Sequence, residues 1–523
     1  GGIELDIERV ILGSESLNDL SRRLSADMEF TEWAKLAKAK GARPIISILK
    51  MPHWLARNPS ATKDALSDYP AFSVSLPRDY GLYERLVEVI VTHFNKRLGV
   101  NAAYVVWSEP DTVLIWEGTD RDYLTLYEHA ARAVKRVDPD AWVGGPAVSE
   151  FTSPKQPSEK ATRPGPFLQN ILLEAGAKRL PLDFIVWHEF NTLPTSYRWK
   201  VETVREWLRE AGYPSTIPLW VLEWNGWQHY DTSNPVYRWG SRERDTEVNA
   251  SYVIATLASM HKAGIALHTF GTLEELDEGL FNSSSQFVGG FGALTRSYVV
   301  KATYNAFRML GQLEGELTSA ETEDPLLTVL ASSVGERHAV LLSNFISTDQ
   351  MIKEDRERVL KLVGVSGPFL RQHGLSRELV QGILTGTTPV DDPRVPTQVR
   401  PRLARLRDLL PPNLRIAQAA PARRTTPVRI KVRWEGLASG TWRLERFLID
   451  SQHSNSFARR PEVEQRLRGL KTDVRNEVGQ RLLQEGATEA QLRELQRLTD
   501  QGIRRSALAG ELRRWADRAV ELA

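Results

Sequence analysis

Two glutamates stand in matching surroundings. Glu109 closes the apolar run "YVVWSEP" (104–110), and Glu223 lies near the end of "PLWVLEWN" (218–225). A strand of Val, Leu and Trp gains nothing by ending on a charge. It does so to hold a carboxylate at the floor of a cleft, to cap a following helix, or to meet an arginine. Two carboxyl groups facing each other across a cleft can cleave an acetal. At roughly 5–5.5 Å one of them attacks carbon directly, and at about 6.5–9.5 Å a water fits between them. So close together they cannot both ionise freely, and one keeps a proton to donate. That chemistry calls for no metal and no organic cofactor. Other reactive or ring-bearing side chains collect at comparable places. They are His53 and Trp54 in "MPHWLA" (51–56), Trp107 and Ser108 beside Glu109, and Trp187, His188 and Glu189 in "DFIVWHEFN" (183–191). Trp224, Asn225 and Trp227 follow Glu223, and His268 and Phe270 end "GIALHTF" (264–270). Indole faces stack on sugar rings but fill large cores equally well, so the tryptophans alone decide nothing.

What must position these groups is a repeated unit of short apolar strand, loop and amphipathic helix, running to about residue 315. "RPIISILKMP" (43–52), "AAYVVWSEP" (102–110), "AWVGGPAV" (141–148), "LDFIVWHEFN" (182–191), "PLWVLEWNGW" (218–227) and "GIALHTF" (264–270) are near-continuously apolar. Strands of that kind are covered on both faces and, separated by helices, belong to a parallel sheet. An open sheet of this class usually carries a nucleotide, but neither GxGxxG nor GxxxxGK[ST] occurs. The closed alternative is an α/β fold, the (β/α)8 TIM barrel, whose reactive residues sit at the C-terminal strand ends. The candidates above all do. With "IELDIERVIL" (3–12) the count reaches seven strands. One N-terminal strand of the eight is therefore not visible, either removed or replaced by another closure.

Beyond residue 315 the pattern changes. Residues 326–345 and 428–450 read as β-hairpins with Gly-containing turns. They predict an accessory antiparallel β-sandwich (316–350 and 425–457), interrupted by a helical insertion (351–424) and followed by C-terminal helices (458–523), in which Thr488 and Gln491 form a capping box. The 523 residues hold 68 basic and 66 acidic side chains, a balance that exerts no global pull on nucleic acid. The lack of cysteine excludes disulfides, thiolate catalysis and Cys-ligated zinc. No GxSxG or HExxH is present, and no apolar run reaches the roughly 18 residues of a membrane span. No signal peptide is visible. A removed one would make the chain secreted or periplasmic; otherwise it is cytoplasmic.

With these motifs in order, the chain resembles the clan A glycoside hydrolases, and within them family 39, which includes β-xylosidases and α-L-iduronidases. "MPHWLA", "VVWSEPD", "DFIVWHEFN", "PLWVLEWN", "FVGGFGALTRSYVVKATYNAFRML" (287–310) and "RFLIDSQHSNSF" (446–457) are similar to successive family segments. The resemblance implies that Glu109 is the acid/base, that Glu223 is the nucleophile with His188 nearby, and that the partner is a carbohydrate. Trp54, Trp187, Trp224 and Trp227 become candidate walls of a sugar subsite, with His53, Trp107, Ser108, Asn225, His268 and Phe270 as further lining. Two positions depart from the pattern. Ser108 stands where the clan has an asparagine on the sugar 2-hydroxyl, and His268 where it has a tryptophan. A non-catalytic glycan-binding protein and a transglycosylase are the alternatives. Asp450, His453 and Asn455 read as a structural turn.

Overall fold

The computed structural model describes residues 2–59, 71–156, 158–226, 241–275 and 285–469. Trp227, Thr488 and Gln491 lie outside the described residues, as do the central parts of the two long loops after residues 59 and 226.

Seven parallel strands, paired in sequence order, form one sheet: β1 (Gly2–Asp6), β2 (Arg43–Ile48), β3 (Ala103–Val106), β4 (Trp142–Val148), β5 (Phe184–Phe190), β6 (Leu219–Asn225) and β7 (Leu267–Phe270). The segment 3–12, expected as one strand, divides. β1 ends at Asp6 and a short helix, Glu8–Leu12, follows. The sheet curls until its ends nearly meet. Thr269 Oγ1 on β7 donates to Glu4 Oε2 on β1 at 3.3 Å. Among the described residues no hydrogen-bonded ladder joins those two strands.

Alternation decides what each strand residue faces. Ile45, Val105, Phe184, Val186, Trp220 and Leu222 fill the inside of the cylinder, with Phe184 and Trp220 stacked at 3.8 Å. Their neighbours Ile46, Val106, Ile185, Trp187 and Val221 point outward, into the layer shared with the helices. Those helices start and stop where local chemistry dictates. Thr119 and Asp122 form a reciprocal capping box at the head of Asp120–Val137. Gly264, at φ 83°, ends Glu247–Ala263 in the left-handed conformation.

The accessory sheet has three antiparallel strands in the order β10-β9-β8: β8 (Glu316–Thr318), β9 (Leu327–Val334) and β10 (Arg337–Asn344). Leu330 and Leu341 press its inner face onto the helices Glu247–Ala263 and Ala302–Leu310. The hairpin expected over 428–450 is not formed, so among the described residues the sheet has no second β-layer. That segment lies along the sheet, with Trp434 and Trp442 5.2 and 5.3 Å from the His338 ring. Its alternating Val428, Ile430 and Val432 stay exposed, and no ladder is gained where no apolar face is buried. The insertion is helical, as expected, with its own core around Leu379, Ile383, Val399 and Leu403. It docks on the barrel through Asp355, which accepts from Trp199 Nε1 (3.1 Å), Asn413 Nδ2 (2.8 Å) and Ser196 Oγ. The Asp450 turn is structural: its carboxylate accepts from the His453 backbone at 2.7 Å, and Asn455 Nδ2 reaches Glu247 at 2.8 Å. No described helix is long and apolar enough to cross a membrane.

Candidate active site

The two glutamates reach the mouth of the cylinder through backbone irregularities. On β6, Leu222 pairs with His188 but Trp224 pairs with Glu189, so Glu223 is an extra residue with no partner on β5. Its φ is 48°. By alternation Glu223 would point outward after Leu222. The bulge turns it back over the opening and sends Trp224 out instead. β4 carries a second bulge at Ala147, φ 52°, whose carbonyl accepts the Glu109 N–H at 2.8 Å. Glu109 itself has φ 47° and Trp107 has φ 65°. Left-handed backbone costs a non-glycine residue about 1–2 kcal/mol, and such strain concentrates at working sites. The Glu223 N–H is 3.3 Å from Thr269 Oγ1. A Cβ added at Gly271 would sit 3.3 Å from Glu223 Cα, so the loop after β7 passes tightly beneath the nucleophile candidate.

His188 stands between the carboxylates. Its Nδ1 is 3.0 Å from Glu109 Oε1 and 3.5 Å from Glu223 Oε2. One oxygen of each glutamate and a ring nitrogen of His188 all lie within 4.8 Å of one another. The histidine side chain is 1% exposed, against 25% for Glu109 and 43% for Glu223. Burial by itself lowers the imidazole pKa. The charges of Glu223, Glu109 and Glu4 outweigh it and raise His188 to about 10. Its Nε2 meets no protein acceptor, so the carboxylates alone hold that charge. The three side chains have the ligand types of a metal site, but an imidazolium offers no lone pair, and a cation would first have to displace its proton.

Glu4 was missed from sequence. It lies inside the cylinder, accepts from Ser47 Oγ at 2.7 Å and from Thr269 Oγ1, and so links β1, β2, β7 and the Glu223 backbone. An acid set between the apolar Ile3 and Leu5 was the available signal. Phe190 was also missed. Two residues after His188, it rests half-buried against Phe291 with ring centroids 5.5 Å apart.

Several expected lining residues lie elsewhere. Trp107, Trp187 and Trp224 are fully buried in the layer between strands and helices, not walls of the cleft. Trp107 donates to the Ile115 carbonyl at 3.0 Å and packs edge-on against Trp116. Trp187 packs on Phe151. Trp224 meets His268 and Phe270, which also face outward. For Trp187, His268 and Phe270 the reason is the period of two, because an inward residue forces its neighbours out; the bulge at Glu223 sends Trp224 out, and the left-handed backbone at Trp107 breaks the alternation there. Burial pushes His268 down to about 4 and keeps it neutral. Asn225 is buried and fully used: its amide donates to the Gly271 and Phe291 carbonyls at 2.7 and 2.9 Å, and its oxygen accepts from Gly226 and Asn249. It fixes the loop rather than lining a pocket. Glu189 is buried in an ion pair with Lys200, behind the barrel wall. Ser108 is buried beside Glu109. Trp54 is half-buried, its Nε1 3.2 Å from Ser14 Oγ, and His53 is exposed against Phe72.

Comparison with known proteins bears on this arrangement. A family model described as glycosyl hydrolases family 39 matches residues 33–369. The β-xylosidase of Caldicellulosiruptor saccharolyticus is 28% identical over 321 residues, covering 58% of this chain and 59% of that protein. The β-xylosidase of Geobacillus stearothermophilus is 27% identical over 357 residues, 64% of each. The chain thus spans less than two thirds of the length of either relative. A family 39 β-xylosidase structure from Caulobacter crescentus is 22% identical, covering 65% of this chain and 76% of that one at TM-score 0.48. The matched stretch runs from before β2 to beyond β10 and contains Glu109, His188 and Glu223, and the chain belongs to family 39 of the glycosyl hydrolases.

Proposed function

We propose that the protein is a retaining glycosidase, with Glu223 as nucleophile and Glu109 as acid/base. The observation that carries this is the closeness of the two carboxylates, oxygen to oxygen within 4.8 Å. That spacing suits direct attack and leaves no room for the intervening water of an inverting mechanism.

The trio also accounts for the proton. With His188 as imidazolium and both glutamates ionised, its net charge is −1, the same as a pair made of one acid and one carboxylate. The proton rests on Nδ1, 3.0 Å from Glu109 Oε1. Moving it to Glu109 leaves a neutral acid aimed at the leaving oxygen, a neutral imidazole, and Glu223 as the free nucleophile. In the first step a Glu223 oxygen bonds to the anomeric carbon, the glycosidic bond breaks, and the Glu109 proton goes to the leaving group. In the second, water gives its proton to Glu109 and its hydroxyl to the anomeric carbon, freeing Glu223. The relatives named β-xylosidase make xylosides the first substrates to try.

Glu223→Gln is expected to abolish release from aryl xylosides. Glu109→Ala should slow poor leaving groups most and be rescued by azide, which needs no base to attack the intermediate. Tight binding of glycosides without release by the unmodified protein would favour a glycan-binding role and sink this reading.

A further inference from the structure

The inside of the cylinder turns polar toward its mouth. Ile45, Val186 and Leu267 belong to its apolar filling, and Gly2 faces the same space, because a Cβ added there would meet Ile45 and Leu267 at 2.8 and 2.9 Å. Two residues further along these four strands the same face carries Ser47, His188, Thr269 and Glu4. Glu4 is the costly member, since a carboxylate inside a barrel gives up hydration that an apolar side chain does not need. Both its oxygens are used. Oε1 accepts from Ser47 Oγ at 2.7 Å, and Oε2 accepts from Thr269 Oγ1 at 3.3 Å. Thr269 Oγ1 in turn accepts the Glu223 N–H, also at 3.3 Å. The bulge takes that N–H out of ladder register. Val221 pairs with His268 and Trp224 with Phe270, so Thr269 alone stands opposite both Leu222 and Glu223.

A hydroxyl has one proton to give and two lone pairs to accept with. Once the Thr269 proton is committed to the Glu4 carboxylate, only lone pairs are left to face the Glu223 N–H. Without the carboxylate that proton is free to turn toward the N–H and oppose it. The bulge needs such a fastening, because Glu223 sits at φ 48°, where a non-glycine backbone is strained. We infer that Glu4 is a positioning residue for the nucleophile, acting through the Thr269 hydroxyl to hold the bulge that aims the Glu223 carboxylate. Ser47 steadies Glu4 from β2. The word nucleophile rests on the glycosidase reading; the hold on the bulge does not. Glu4 also helps to keep His188 protonated, but least among the three glutamates, after Glu223 and Glu109. At pH 6 the imidazolium therefore survives its removal, and the positioning is read alone.

The test is a double-mutant cycle in the full chain at pH 6, with Glu4→Met, which keeps the side-chain length but not the acceptor, and Thr269→Val. Two quantities are read: kcat and KM on an aryl xyloside, and hydrogen exchange of the peptide 219–225 by mass spectrometry. Each single change is expected to lower kcat about tenfold or more with KM within about threefold, as misaimed groups do. Because the two residues act in series, the double variant should fall less than about twofold below Thr269→Val. Thr269→Ser restores the hydroxyl and should recover most of kcat. Exchange of 219–225 should quicken in both single variants and stay unchanged over 103–106. Should Glu4→Met not fold, Glu4→Gln, a neutral acceptor, takes its place in the cycle, with a loss of about threefold or more expected. Additive losses, a loss confined to KM, or unchanged exchange of 219–225 overturns the inference. If the unmodified protein cleaves no glycoside while exchange still quickens, only the glycosidase reading falls; if it cleaves xylosides and the losses add, only the role of Glu4 does.

Discussion

Replacing His188 by glutamine removes the one proton the trio stores while keeping a hydrogen-bond donor near Glu109. The ring nitrogen is 3.0 Å from one carboxylate and 3.5 Å from the other, and the imidazole is raised to about 10. In the unmodified protein the competent charge state, net −1, therefore persists as pH rises and is lost only as pH passes through about 10. In His188→Gln the proton must sit on a carboxyl instead. A general-acid glutamate raised mainly by an apolar pocket reaches about 6 in a comparable site. The basic limb of kcat/KM should thus move down by three or more pH units. At pH 8 the competent fraction becomes about 1%, a loss of roughly 100-fold, while at pH 5 the variant loses less than about tenfold. The same proton is linked to stability. Because the folded value exceeds the unfolded one, the contribution is fully present below about 6.5 and disappears as pH climbs to about 10. At 1.36 kcal/mol per pH unit it amounts at most to something on the order of 5 kcal/mol. The assay is kcat/KM on an aryl xyloside from pH 4 to 10.5, with urea unfolding at pH 6.5 and 10. A variant sharing the basic limb of the unmodified protein would refute the proton-store argument, as would an unmodified limb near 6.

Three other perturbations separate packing from chemistry. Lys200→Met leaves Glu189 buried without its cation and should cost about 3–5 kcal/mol at pH 7. Urea unfolding at pH 7 will read the loss. Trp187→Phe removes packing but no hydrogen bond, since its Nε1 has no partner; about 1–2 kcal/mol of stability should go, with KM for xylosides unchanged. A raised KM would mean that Trp187 does line the cleft. Asp355→Ala strands the Trp199 and Asn413 donors and should cost about 2–4 kcal/mol. Hydrogen exchange should rise in the helices 349–363 and 196–210 and not in β3 or β6.

The barrel was legible because its strands are apolar on both faces and end abruptly on polar groups. "YVVWSEP" and "PLWVLEWN" announce a covered strand and a held carboxylate in the same few letters. The facing of the neighbours was not legible, although the period of two contains it. Once His188 points inward, Trp187 and Glu189 must point outward, and Phe190 shares the face of His188. What no pattern in the chain displays is the bulge. An extra residue at Glu223 changes no composition and no periodicity over so short a run, yet it decides which of Glu223 and Trp224 faces the cleft. The alternation in "VRIKVRW" misled in the opposite direction. It writes a strand, but a strand also needs a neighbouring edge and a face to bury, and 428–434 gains neither. The Glu4 bonds to Ser47 and Thr269 likewise join residues more than 40 and 260 positions away, beyond any local signal.

The stereochemistry of the first product tests the claim at the centre of this account. Proton NMR of an aryl β-xyloside mixed with the protein, recorded within the first minutes, reads the anomeric signal before mutarotation. Attack by Glu223 followed by water gives β-xylose first, with the α form growing in later. Initial appearance of α-xylose would mean a single displacement by water, and would contradict a pair of carboxylates held within 4.8 Å.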